Sequence, residues 1–262
     1  MSSSSIRIVR LKDSNSVGEF VAQKISAAIK NAGSKPLVLG FPSGRTPRPT
    51  IRALAQIAST ESLDLSQVHI LLMDDYVWQE PNGTFKNVSL SEHFSCRKFA
   101  QDELLALINA KLEKPRQIKI ENLHAPDAAN PKDYETLIDS LGGIDIFILA
   151  SGSSDGHVAF NGPGAARQSL TSVMDLAEKT RSDNLLTFPD FKSIEEVPRF
   201  GVSVGISTIA DKSRLAIMIL TSKEKREAFQ TISSARKYDP AWPATVVVEC
   251  REGMIVVDEL AG

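Results

Sequence analysis

Apolar positions along the chain switch between two periods. Ile6-Arg7-Ile8-Val9-Arg10-Leu11 reads as a half-buried strand. Residues 14–32 carry Val17, Phe20, Val21, Ile25, Ala28 and Ile29 at helical spacing, and Gly33 stops that helix. Pro36-Leu37-Val38-Leu39-Gly40 is a short, wholly apolar strand, followed by a turn of small residues and a helix over about 47–59. Apolar runs at 68–73, 144–150 and 214–220 read as buried strands, the last leading into a helix over about 223–235. Residues 245–249 and 254–257 close the chain as two short strands. Residues 171–200 are polar and interrupted by Pro189 and Pro198, so they read as a loop-like excursion or lid. Buried apolar strands alternating with helices predict an α/β fold with a mostly parallel central sheet, and residues 1–262 read as one domain.

Composition narrows the function classes. The 262 residues hold 30 Lys and Arg against 32 Asp and Glu, which leaves no basic excess for a nucleic-acid partner. The two cysteines, Cys96 and Cys250, form neither a disulfide framework nor a zinc motif, and four scattered histidines predict no metal site. The start, Met1-Ser2-Ser3-Ser4-Ser5, has no basic segment followed by an apolar core, so no signal peptide is expected. No apolar run reaches the ~18 residues of a membrane span. The expected compartment is the cytoplasm.

Ligands in open α/β sheets bind beyond the carboxyl ends of the strands. Four such places carry chemistry here. After the 36–40 strand comes Pro42-Ser43-Gly44-Arg45-Thr46-Pro47, whose free helix-start N–H groups, hydroxyls and guanidinium suit an anion. After the 68–73 strand come Asp74 and Asp75, one placed to move a proton and its neighbour to hold the loop; the alternative is a plain turn. After the 144–150 strand, Ser151-Gly152-Ser153-Ser154-Asp155-Gly156-His157 lets a carboxylate meet an imidazole around a glycine. After the 214–220 strand, Lys223 and Lys225 stand at a helix start, where a lysine is unfavourable without an anion nearby. An acid/base pair beside a basic cradle points to proton transfer on a small phosphorylated metabolite, without nucleotide or metal.

These residues resemble a known family. Met73-Asp74-Asp75-Tyr76-Val77 is similar to the Met-Asp-Glu-Tyr-Val motif of glucosamine-6-phosphate deaminases. Asp155-Gly156-His157-Val158-Ala159-Phe160-Asn161 resembles their Asp-Gly-His-Ile-Ala-Phe-Asn, and 42–47 looks like their phosphate loop. The order continues through Val202-Ser203-Val204-Gly205-Ile206 and the Lys225 helix. The related 6-phosphogluconolactonases share the fold and Asp-Gly-His but usually continue with Thr-Ala-Ser.

The resemblance implies a Rossmann-like three-layer sandwich. It also implies conversion of glucosamine or galactosamine 6-phosphate and water to a ketose phosphate and ammonia, with no cofactor. His157 would open the sugar ring, Asp155 would orient it, and Asp74 would carry a proton between C2 and C1. Ser43, Gly44, Thr46 and Lys225 would hold the phosphate, and Arg45 joins them as this chain's own candidate phosphate ligand. Asp75, Gly152, Ser153, Gly156 and Asn161 would form the substrate loop.

Three departures stand out. Gly162 occupies the place of a glutamate that supports the histidine in the deaminases, and Leu186 falls where they use a phosphate-binding arginine. Arg45 stands where many relatives have glycine and is positioned to restore the lost charge. A carboxylate from Glu178, Asp183 or Asp190 is a candidate replacement at the histidine. Two other readings stay open: a sugar-phosphate lactonase, in which His157 activates water, and a non-catalytic sugar-phosphate sensor. Trp78, Trp242 and the apolar C-terminal strands are candidates for a homo-oligomer interface.

Overall fold

The computed structural model describes residues 6–262, leaving out the side chain of Leu186. The signal-peptide expectation at Met1–Ser5 and the Leu186 substitution fall outside what is described. The chain runs β1 (Arg7–Leu11), α1 (Ser14–Ala32), β2 (Leu37–Phe41), α2 (Arg48–Thr60), β3 (Val68–Leu72), β4 (Asp74–Gln79) and β5 (Phe85–Asn87). A helical stretch follows as α3 (Cys96–Phe99), a π-helical turn (Ala100–Leu105) and α4 (Ala106–Asn109). Then come β6 (Leu123–His124), α5 (Pro131–Ser140), β7 (Ile144–Ala150), β8 (Ser172–Asp175), α6 (Glu178–Thr187) and β9 (Phe200–Ser203). The chain ends with α7 (Ile206–Lys212), β10 (Ser213–Leu220), α8 (Arg226–Ser234) and β11 (Gly253–Asp258).

Seven strands form one sheet in the order β1-β11-β10-β7-β2-β3-β6, and every pairing in it is parallel. Two apolar clusters cover it, one to a face. The first packs α1, α2 and the 96–109 helix through residues such as Val21, Ile25, Leu54 and Leu104. The second packs α5, α7 and α8 through Ile138, Ile209 and Ile232. Two covered faces explain why the central strands are apolar at every position rather than alternating, as in β2, where all five residues are buried. The expected α/β three-layer arrangement is present.

The strand order reverses between β2 and β7. Chains leaving their carboxyl ends therefore diverge and leave a crevice, the place where such sheets bind ligands.

A second, antiparallel sheet runs β5-β4-β9-β8. Only Met73 separates β3 from β4; its N–H donates to Phe41 O at 3.3 Å and its carbonyl accepts from Val204 N at 2.9 Å. Asp74 and Asp75 thus open a strand of the small sheet, paired with Ser203 and Val202, instead of sitting in a turn.

Three other expectations are corrected. Residues 245–249 belong to a 3-10 helix, Pro243–Glu249, and not to a strand. Short apolar runs do not distinguish strand from buried helix, and here Ala244, Val246 and Val247 are buried against the second core cluster. The polar excursion at 171–200 contains β8 and α6 and runs into β9. Hydrophobic periodicity does not reveal this helix, because Thr180, Asp183, Asn184 and Thr187 present a polar rather than an apolar stripe. The helix expected from 223 begins as a 3-10 turn, Lys223–Lys225, before α8.

Candidate active site

A cleft of about 620 Å³ lies over the carboxyl ends of β2 and β7. Its floor is the 42–46 loop, Met73 and Asp74, and the 150–153 loop; His157 and Lys225 stand at its sides, and α6 contributes Asp183, Asn184 and Thr187. Of the sequence-predicted site residues, Ser43, Gly44, Arg45, Thr46, Asp74, Gly152, Ser153, His157 and Lys225 line it. Asp75, Asp155, Gly156 and Asn161 do not line it and are buried behind its wall.

Asp75 is fully buried, and Arg97 Nε donates to its Oδ2 at 2.6 Å while Cys96 N donates to its Oδ1 at 2.9 Å. Burial still pushes its carboxyl above the usual range, against the opposing Arg97 charge. Asn161 donates its amide to Val158 O at 3.1 Å and Val204 O at 2.8 Å, tying the histidine loop to the residue just after β9. Gly156 packs against the ring of Trp242, which is half-buried. Trp78, by contrast, is 43% exposed.

Asp74 faces the cleft from a site that is 94% covered, with 6% of its surface exposed. Burial, with the Asp75 charge beside it, lifts its carboxyl to about 7, against a smaller opposing contribution from the Cys96 thiol. A carboxyl poised there is half ionised at neutral pH, the state a proton shuttle needs. Across the cleft, His157 Nδ1 lies 2.8 Å from Asp155 Oδ1. Thr180 Oγ1 donates to the other Asp155 oxygen at 3.1 Å and lies 3.4 Å from the same ring nitrogen. Burial opposes ionisation of Asp155, but the hydrogen bond and charge of His157 outweigh it and hold the carboxyl at about 2. The ionised carboxylate fixes the imidazole with its proton on Nδ1 and leaves Nε2 for chemistry.

Gly152 is required by this geometry. A Cβ built there would fall 2.0 Å from Asp155 Oδ1 and 2.4 Å from His157 Nδ1. Gly44 turns the 42–46 loop at φ +87, a conformation that disfavours a side chain.

The Lys225 ammonium donates to Ser151 O. Burial pulls it below the usual lysine range, Asp183 opposes that shift, and Arg45 adds to it. Two cations and the start of α2 give this end of the cleft a positive field, the kind of field that attracts an anion. Ser222 reaches φ 80 at the same wall, its N–H held by Asp258 Oδ2 at 2.9 Å.

Asp155, His157 and Asp183 bring one ligand-type atom each within 4.8 Å of one another, a convergence the dispersed histidines did not foretell. Asp155 and His157 already satisfy each other, and Asp183 stands beside the pair without a hydrogen bond to either. Of the three candidate replacement carboxylates, Asp183 comes within 4.8 Å of the pair, whereas Glu178 and Asp190 are exposed. The sequence reading overlooked Cys96 and Thr180. Thr180 was detectable through its i, i+3, i+4, i+7 relation to Asp183, Asn184 and Thr187.

The model of the family described as glucosamine-6-phosphate isomerases/6-phosphogluconolactonase matches residues 12–257. A glucosamine-6-phosphate deaminase of Dictyostelium discoideum is 31% identical over 263 aligned positions, covering 97% of this chain and 91% of its own. A monomeric glucosamine-6-phosphate deaminase of solved structure superposes with TM-score 0.82 at 25% identity, covering 98% of both chains. A 6-phosphogluconolactonase from Trypanosoma brucei superposes with TM-score 0.69 at 19% identity, over 98% of this chain and 97% of that one, a likeness of fold. Among the described residues, no helix is long and apolar enough to cross a membrane.

Proposed function

The chain belongs to the family of glucosamine-6-phosphate isomerases and 6-phosphogluconolactonases, and we propose that within it this protein is an aminosugar-6-phosphate deaminase. The observation that carries this reading is Asp74, a buried carboxyl held at about 7 in the same cleft as the His157–Asp155 pair. A lactonase that activates water on His157 has no need of a second proton-transfer group. An isomerising deaminase does, because a proton must leave one carbon and arrive at the next. The higher structural similarity to a deaminase than to the lactonase, 0.82 against 0.69, supports the same choice.

In this reading the phosphate sits on the Ser43-Gly44-Arg45-Thr46 loop and Lys225. His157 Nε2 passes a proton between the anomeric hydroxyl and the ring oxygen, opening the pyranose to the aldehyde. Asp155 stabilises the charged imidazole while it holds the proton. Asp74 removes the C2 proton while the substrate's ammonium gives a proton to the C1 oxygen, forming an enolamine, and Asp74 then returns its proton to C1, which leaves an iminium at C2. Water adds to that iminium, and ammonia leaves from the resulting carbinolamine, giving the ketose phosphate. Asp183 supplies the second carboxylate beside His157 that Gly162 does not. No step calls for a metal or nucleotide. The substrate class, an aminosugar 6-phosphate, is shared by glucosamine and galactosamine epimers.

The test offers the purified protein glucosamine 6-phosphate, galactosamine 6-phosphate and 6-phosphogluconolactone while following ammonia and acid. Ammonia release supports the proposal. Acid release from the lactone above the spontaneous rate, with no ammonia, replaces it with a lactonase. Stabilisation by phosphosugar without turnover of any of the three replaces it with a sensor.

A further inference from the structure

Asp74 has a single hydrogen-bonding side chain beside it among the described residues, the thiol of Cys96, with Sγ 3.5 Å from Oδ1. On its other side the same sulfur accepts from Ser43 Oγ at 3.1 Å. Ser43 belongs to the phosphate loop, so one short chain of donors joins that loop to the buried carboxyl. Cys96 has little freedom to leave it. It is the first residue of α3, its own N–H is held by Asp75 Oδ1 at 2.9 Å, and the preceding Ser95 caps the helix through Lys98 N at 3.2 Å. The side chain is 1% exposed. Cys250 is the other cysteine and belongs to a different core cluster, so no disulfide explains the placement.

We propose that Cys96 is a positioning residue for Asp74: its thiol orients the carboxylate toward the cleft and sets how readily Asp74 takes up a proton. The inference rests on the reading of Asp74 as the proton-shuttling base. A hydrogen bond donated to a carboxylate favours its ionised form. A thiol donates weakly, so it orients the carboxylate while leaving its proton affinity high. The Ser43 hydroxyl, by donating to the sulfur, polarises the thiol and strengthens its bond to Asp74. A serine in place of Cys96 would donate more strongly and make Asp74 a poorer base at neutral pH.

Other groups act on Asp74 and stay constant between variants. Asp75 and Tyr76 flank it on β4, with Arg97 behind Asp75. Tyr134 approaches from α5, and Arg45, His157, Asp183 and Lys225 line the cleft it faces.

Cys96→Ser and Cys96→Ala separate this role from a merely structural one. Ammonia release from glucosamine 6-phosphate is followed from pH 5 to 9. The rising limb of kcat/KM is expected to move to lower pH in Cys96→Ser and to higher pH in Cys96→Ala, by roughly half a unit each, the worth of one modest hydrogen bond. KM at pH 8 should change less than kcat. Limbs that coincide with the unmodified enzyme, or that move in the same direction, overturn the proposal. A second readout does not depend on turnover. The carboxyl infrared band lost in Asp74→Asn is titrated in the unmodified protein and in both Cys96 variants, and the same opposite shifts are expected. Absence of ammonia release from the unmodified protein would sink the deaminase reading alone. The infrared titration then still decides the role of Cys96.

Discussion

Nδ1 of His157 and Oδ1 of Asp155 lie 2.8 Å apart across a single glycine, and Thr180 of α6 reaches the opposite oxygen of the same carboxylate at 3.1 Å. The pair fixes both the tautomer and the aim of the imidazole. Asp155→Asn keeps the shape and removes the charge, so kcat for ammonia release is expected to fall by about 10²–10⁴-fold. Thr180→Val removes one hydrogen bond and leaves the carboxylate, so the loss should be about tenfold or less. Asp183→Asn should fall between the two, because its carboxylate lies within 4.8 Å of the pair without closing it. An Asp183→Asn enzyme with unmodified kcat would remove Asp183 from the mechanism. Gly162→Glu then becomes informative. A Cβ at Gly162 meets only Ala177 at 3.6 Å, so the larger side chain has space at its base, and partial rescue of Asp183→Asn is the expected outcome.

Asp74 links activity to pH. Its carboxyl is raised by burial to about 7, so kcat/KM should rise with pH through that value as the base ionises. Asp74→Asn is expected to abolish exchange of the C2 proton with deuterated solvent while a phosphosugar still binds. Exchange that persists would assign the base elsewhere. The same shift has a stability consequence of opposite sense. The folded protein holds this proton more tightly than the unfolded chain, whose carboxyl titrates near 3.8. Its contribution is therefore complete below about pH 4 and is lost as pH rises through 7, a change of about 4 kcal/mol. Asp74→Asn should flatten that part of the urea-denaturation profile.

How much of this was legible in the sequence depends on what the residues bury. Strands β2, β3, β7 and β10 could be read because both faces of the sheet are covered and every side chain is apolar. The strand ends then gave Ser43, Asp74 and His157 their places, since the sheet order turns between β2 and β7. Helix α6 could not be read the same way. It covers a polar cleft, so its inward face is Thr180, Asp183, Asn184 and Thr187, and hydrophobic periodicity is blind to it. Cys96 was invisible for another reason. It is 22 residues from Asp74, and only the pairing of β4 with the small sheet brings the start of α3 against it.

Arg45 stands at the mouth of the cleft, exposed, on the loop that also presents Ser43 and Thr46. It lies close enough to Lys225 to depress the lysine, so the two cations repel unless an anion sits between them. Arg45→Gly should raise KM for glucosamine 6-phosphate about tenfold and leave kcat within a factor of two, since a phosphate contact remote from the reacting carbons binds substrate and transition state alike. KM for unphosphorylated glucosamine should hardly move. Equal changes for both sugars would show that Arg45 supports the loop rather than the phosphate.

A second titrating pair lies far from the cleft, on the edge of the central sheet. His69 Nδ1 of β3 and His124 Nε2 of β6 lie 3.1 Å apart with their rings nearly parallel, so one proton serves both. Burial lowers both imidazoles, Lys119 adding to the effect at His69 and His69 to that at His124. The unfolded chain takes up protons near 6.5, where the folded pair resists them. Stability from this source is thus present above pH 6.5 and lost as pH falls below it. In His124→Gln only one imidazole remains, and it no longer faces a second one. Urea midpoints measured from pH 7.5 to 5 should fall less steeply in the variant than in the unmodified protein. Asp74 contributes equally to both proteins, so the difference in slope isolates the pair. Parallel slopes would mean that both histidines titrate in the folded protein as they do in the unfolded chain, and that the sheet edge tolerates a second proton.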